Sequence, residues 1–147
     1  MVKDTKILAK YLLTKGIESS LKIQKMLFFF RVEEYKNKNL NNSFYKHKDN
    51  FEAWIYGPVN VESFKYMQPF FGGEAEKEEF LLNDNEIEEI DKKYKESFDK
   101  YKNYAPSTLV DMSHKNISWI NARGDIDPDD ICHTRMKEDD TFIKFKK

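Results

Sequence analysis

LKIQKMLFFF, residues 21–30, is built of good helix formers, yet it has almost no polar face near its end. Met26, Leu27, Phe28, Phe29 and Phe30 follow one another, so on a helix they point in every direction around the axis. An ordinary surface helix keeps a charged stripe. This helix must therefore be surrounded, and the rest of the chain has to supply its neighbours. We expect it to be the central helix, capped by Ser19 or Ser20 and running roughly to Lys38, where the asparagine-rich stretch 37–42 ends it. Each buried Phe or Leu contributes about 1.5–3 kcal/mol. A charge placed at Phe29 is expected to be far more damaging than one at Glu33.

The flanking segments read as one-sided partners. Upstream, Ile7, Leu8, Tyr11 and Leu12 share a face of a helix over 4–15, with Asp4 as N-cap and Gly16 as the left-handed residue that ends it. Downstream, the clearest helix starts at Asn83, with Glu86 closing a capping box and Leu82 and Ile87 placed as a staple. Ile87, Ile90, Tyr94, Phe98 and Tyr101 then recur at three- and four-residue steps among charges, to about Tyr104.

Between these, FEAWIYGP (residues 51–58) alternates and is rich in β-formers, which predicts a short strand over 51–56 stopped by Gly57-Pro58. Pro58 then suits the first turn of a helix carrying Val61, Phe64 and Met67 and ending by Pro69. Ser107 is the expected cap of a short helix through Leu109, Val110 and Met112, and Trp119 falls in another. Asp127-Pro128 reads as a last helix start, with Ile126 and Ile131 as its staple. The prediction is a mainly α (α+β) fold: one compact domain over 1–147, of six to seven helices around the Phe-rich one, with a small β element.

Composition bounds the function. The 147 residues suit one domain with a core of its own. Twelve Phe, eight Tyr and two Trp supply large buried areas in a chain that is 35% charged. One cysteine, Cys132, excludes an internal disulfide. No signal peptide is visible, and the longest apolar run, 26–30, is far short of a membrane span. A cytoplasmic protein with no membrane association is expected. The first fifty residues carry a net +6 and the remainder a net −7, so the two halves have the means to pair with each other.

No residue set spells out catalysis. Asp125, Asp127 and Asp129 fit the first ligand positions of an EF-hand, but Asp130 stands where its glycine belongs and Met136 where its glutamate belongs. Helix capping explains the same aspartates. Cys132 and His133 are sequence neighbours, which diverge rather than pair. His47, His114 and His133 lack metal spacing, and no phosphate-binding glycine loop is present. The chain reads as a non-enzyme without a cofactor. Lys22, Gln24 and Lys25 near a helix start resemble groove-reading residues, which keeps a DNA-binding regulator as an alternative. Trp54, Tyr56, Phe70 and Phe71 are candidates for an exposed aromatic anchor patch on a protein-binding module.

Three segments together resemble a known family. SSLKIQKMLFFF is similar to the T-x-L-K-L-Q-K-L-L-Y-F segment of the Panacea domain, the SocA-like antitoxin or phage-associated protein family. FEAWIYGPV resembles its E-A-W-x-Y-G-P-V segment, and SHKNISWINAR its T-H-x-x-x-P-W segment. The matching positions are Leu21, Lys22, Gln24, Lys25, Glu52, Ala53, Trp54, Tyr56, Gly57, Pro58, His114 and Trp119, in order and across nearly the whole chain. Phe28 replaces the familiar tyrosine, Ser118 the proline before the tryptophan, and Asn116 an acidic residue. The resemblance implies an antitoxin that neutralises a small protein toxin, encoded by a neighbouring gene, through direct binding. It also implies an alternative, a proteolysis adaptor that presents the toxin to a protease. No catalytic residue comes with it. The motif residues are expected either to shape the fold or to bind the partner. On physical grounds Lys22, Lys25 and His114 are expected to serve internal bonds, and Trp54 and Trp119 to pack with their indole N–H groups satisfied.

Overall fold

The neighbours that the Phe-rich stretch demands come from both ends of the chain. The computed structural model describes all residues, Met1–Lys147. It contains α1 (Thr5–Thr14), α2 (Ser20–Lys36), β1 (Glu52–Trp54), β2 (Gly57–Val59), α3 (Val61–Phe71), α4 (Asp84–Tyr101), α5 (Pro106–Ser113) and α6 (Ile117–Arg123). Two 3-10 turns, Lys77–Phe80 and Asp140–Ile143, complete it. The fold is mainly α and compact, with one two-stranded sheet. Helix α2 touches α1, α3, α4, α5, β2 and the C-terminal 3-10 turn, and every residue from Ile23 to Val32 is buried. The predicted central position of this helix is what the structure shows.

Aromatic geometry accounts for the crowding of Phe28, Phe29 and Phe30. Phe28 sits edge-on to Phe51 and Phe142. Phe29 stacks with Tyr101, at 5.0 Å, and with Phe145, at 6.1 Å. Phe30 stacks on Tyr94 at 5.6 Å. All three rings are thus taken up by aromatic partners, with Phe145 shared by Phe28 and Phe29, and no polar stripe is left over.

Local chemistry sets most helix ends. Asp4 accepts from the Ile7 N–H, Ser19 from the Lys22 N–H, and Asn83 and Glu86 form the reciprocal capping box. At the end of α1, Gly16 has φ +99, and the Ile17 and Gly16 N–H groups bond to the Leu12 and Leu13 carbonyls. That is a Schellman closure.

Several expectations need correction. First, the β element is a hairpin: β1 ends at Trp54, Ile55-Tyr56 makes the turn, and Gly57-Pro58-Val59 returns as β2. Gly57 at φ +106 turns the chain back instead of stopping it. Pro58 therefore lies opposite Ala53 in a ladder, and Asn60 caps α3 by accepting from the Ser63 N–H. Second, α3 carries Pro69 inside its last turn and ends at Phe71, because the missing proline N–H removes only one bond there. Third, Pro106 takes the first position of α5, with its preset φ, and Ala105 rather than Ser107 is the N-cap. Fourth, 125–131 is no helix. The Arg123 guanidinium takes the carbonyls of Asp127, Pro128 and Asp130, which commits that backbone to a loop. Ile126 and Ile131 are exposed there, so no staple forms. The central and fourth helices also stop short of their expected ends, at Lys36 and Tyr101. Phe70 and Phe71 pack on each other and against the core, so neither joins an exposed aromatic patch.

The opposed charges of the two halves meet inside the fold. Lys15 pairs with Asp91 and Arg31 with Glu138. Arg31 is the centre of a buried polar cluster: its Nε lies 2.7 Å from Glu138, and one terminal nitrogen 3.1 Å from Glu34. Glu138 also accepts from the Tyr35 hydroxyl and from the Asn50 backbone and side-chain amides. This cluster clips the C-terminal segment and the 43–50 loop onto α2. No helix is long and apolar enough to cross a membrane.

Candidate functional site

The site is built around the hairpin. A two-residue turn exposes the carbonyls of its flanks, and the buried ones require donors. Side chains from three parts of the chain supply them. Arg123 of α6 donates to the Ala53 carbonyl at 3.0 Å, and Trp119 of α6 donates its indole N–H to the Trp54 carbonyl at 3.0 Å. His114, just past α5, places Nε2 3.0 Å from the Ile55 carbonyl. A carbonyl only accepts, so Nε2 carries the proton. Lys25 of α2 donates to the Pro58 carbonyl at 2.5 Å. His114 and Trp119 stack on each other at 4.4 Å, which orients both donors.

The N-terminal end of α3 is held by the same helix. The Gln24 carbonyl accepts from the Asn60 N–H at 2.8 Å, and its amide donates to the Ser63 hydroxyl. Glu52 accepts from the Trp54 indole at 2.9 Å and faces His133 at 3.2 Å. Beneath the turn, Gly57 leaves no room for a side chain. A Cβ there would fall inside the Ser113 hydroxyl and 3.0 Å from the Lys25 Cε. Glycine is thus required twice at this position, by the backbone and by the close approach.

Lys25 is fully buried and has no carboxylate within ion-pair distance. Burial without a counter-ion disfavours its charged form and brings its pKa down to about 7. Burial also lowers His114, against the opposing effect of its bond to Ile55. The pair lies beneath the hairpin as a floor on which burial works against the charged form of both groups.

Above that floor lies an apolar groove of about 300 Å³, walled by Leu21, Trp54, Ile55, Tyr56, Val59 and Phe64, with Gln24 and Lys25 at its base. Trp54 and Phe64 meet edge to face at 5.2 Å on one side. Tyr56 at the hairpin tip is 63% exposed, and Leu21 stands exposed across from it.

The structure thus brings Leu21, Gln24, Lys25, Trp54 and Tyr56 to one groove. Glu52, Gly57, Pro58, His114 and Trp119 lie under or beside the hairpin that forms its wall. Lys22 goes elsewhere: its ammonium reaches the Lys102 carbonyl at the end of α4. With Lys22 tied down and Gln24 and Lys25 buried, these three residues present no base-reading face. The substituted third segment has its own closures. Asn116 caps α6 and donates to the Phe142 carbonyl, and Ser118 donates to the Lys137 carbonyl.

Sequence reasoning missed Arg123, Asn60, Ser113 and Phe64 as members of the site. For Arg123 a signal was present. It stands four residues after Trp119 on the same helix face, and its guanidinium lies over that indole at 5.3 Å. Cys132 is buried and His133 exposed, so the two form no nucleophile–base pair. No group of three or more His, Cys, Asp or Glu side chains is arranged to hold a metal. Comparisons with protein-family models, with curated proteins and with solved structures find no match to this chain.

Proposed function

We propose that this chain is an antitoxin-like protein-binding domain that neutralises a cognate protein toxin by direct complex formation at the hairpin groove. The observation that carries the reading is convergence. Two segments about thirty residues apart, the start of α2 and the hairpin, build one apolar groove, and the third, 113–123, holds that hairpin from below. Exposed Tyr56 is an aromatic anchor of the kind that dominates protein interfaces, and exposed Leu21 adds apolar surface across the groove from it. The resemblance of the same three segments to an antitoxin family supplies the class of partner, a small toxin encoded by a neighbouring gene. The fit is to stoichiometric binding rather than turnover.

The test is co-expression. The neighbouring reading frame is induced alone in a bacterial host and then together with this chain, and colonies are counted. Rescue by the wild type, and its loss in Tyr56→Asp and Leu21→Asp variants that keep their helical circular dichroism, is the expected result. A harmless neighbour, or rescue by both variants, overturns the reading. Toxin half-life in the same cells separates sequestration from delivery to a protease: sequestration leaves the toxin long-lived.

A further inference from the structure

A second groove lies away from the hairpin, where α2, α4, α5 and the C-terminal segment meet. Its volume is about 340 Å³, its floor is Tyr101, Tyr104 and Phe145, and its rim is Lys36, Lys100 and Lys115. Lys100 is paired with Glu33 at 3.0 Å, but neither Lys36 nor Lys115 has a carboxylate within ion-pair distance. An apolar floor under unpaired cations selects an occupant that is both apolar and acidic.

The chain itself displays such a segment. In the 125–131 loop, DIDPDDI, four aspartates surround Ile126 and Ile131. Ile131 is 79% exposed, the highest value among the large exposed hydrophobic residues, and none of the four aspartates has a cation partner. The loop is held in shape by the three carbonyls that Arg123 takes and by buried Cys132 after it. A preshaped loop loses little chain entropy on docking. It cannot fill the groove of its own molecule. Phe145 is bridged to Asn116 at the start of α6, and the loop leaves from the other end of that helix, roughly 10 Å away, pinned toward β1 by Arg123.

We propose that the lysine-rimmed aromatic groove receives the aspartate-rich loop of a second copy of this chain. Ile131 enters over Tyr104 and Phe145, and the loop's aspartates meet Lys36 and Lys115. The contact is head-to-tail, so a pair keeps a free groove on one copy and a free loop on the other, and association continues past the dimer unless it closes into a ring. One loop in one groove buries less than about 1,200 Å², which places the contact among weak, reversible ones.

Sedimentation velocity tests this, from about 10 µM to about 1 mM protein, at about 50 mM and about 500 mM salt. The wild type is expected to rise in mass with concentration, past that of a dimer, and to do so less at the higher salt. Ile131→Asp alone, and Lys36→Glu with Lys115→Glu, are expected to stay monomeric; all three positions are exposed, so the fold is kept. An equal mixture of the two variants restores one intact groove and one intact loop. It is expected to give a heterodimer of twice the monomer mass and nothing larger. A wild type that stays monomeric throughout overturns the proposal, as it would if the groove instead served an acidic segment of another protein or a single-stranded nucleic acid. A mixture that stays monomeric, or a variant that associates like the wild type, also overturns it. Neither Leu21 nor Tyr56 is altered, so failure here leaves the toxin-binding reading where it stood.

Discussion

Lys25 is a basic side chain sealed under a β-turn with one backbone carbonyl for company. Unfolded, it holds its proton up to its ordinary value of 10.5; folded, it releases it near 7. Between those values the unfolded chain binds the extra proton, so stability rises with pH across the window. Full titration of one group gives a slope of roughly 1 kcal/mol per pH unit. His114 acts with the same sign lower down: its pKa is lowered by burial, so stability falls as pH drops through 6.5. Denaturant melts of the wild type and of Lys25→Met between pH 7 and 9.5 are expected to show the rising slope only in the wild type. Equal slopes would mean that Lys25 keeps its charge in the fold. The variant leaves the Pro58 carbonyl without its donor, which offsets part of its gain by about 1 kcal/mol.

At the scale of the element, α2 differs from the other helices in having no expendable side over its middle. Phe29 stacks with two aromatic rings, whereas Glu33, one turn on, meets Lys100 and the Tyr101 hydroxyl closer to solvent. Phe29→Asp is expected to lose more than about 4 kcal/mol, by adding an unpaired buried charge to a cavity. Glu33→Gln is expected to stay within about 1 kcal/mol, since Lys100 stays half-exposed to water without its partner and the amide oxygen still accepts from Tyr101. Urea melts of the two variants decide it, and comparable losses would refute the central placement of α2. This much was readable from LKIQKMLFFF alone, because a run without a polar stripe has one physical solution. The caps at Asp4 and Asn83 were readable too, and the one at Ser19 to within one residue, since a cap and its donor lie three residues apart. The hairpin was not. Gly57-Pro58 has the composition of a terminator, and only the pairing of Pro58 with Ala53 and the bonds from α6 make it a return strand. The burial of Lys25 and the gathering of the 125–131 loop by Arg123 escaped for the same reason: each is decided by partners that local patterns do not contain.

At the scale of the whole molecule, one buried polar cluster joins the first helices to the last residues. Glu138 accepts from Arg31, Tyr35 and Asn50, and none of these is near it in sequence. Glu138→Ala leaves the Arg31 charge half-paired in the interior, and a loss of about 3–5 kcal/mol is expected. Amide hydrogen exchange is expected to rise in both 43–50 and 134–145, since both are clipped by this carboxylate; a rise confined to 134–145 would mean that the loop holds itself. The hairpin shows the same dependence in another currency, time. Its four bonds to side chains span 33, 59, 65 and 70 residues of chain. Contacts of that separation close late, after local helices have formed. On a ribosome, where the chain emerges from its N-terminus at about 5–20 residues per second, the strands appear well before Trp119 and Arg123 do. The nascent protein therefore carries α1 and α2 for several seconds before the wall of its groove can set, and a partner that needs that wall meets only finished copies.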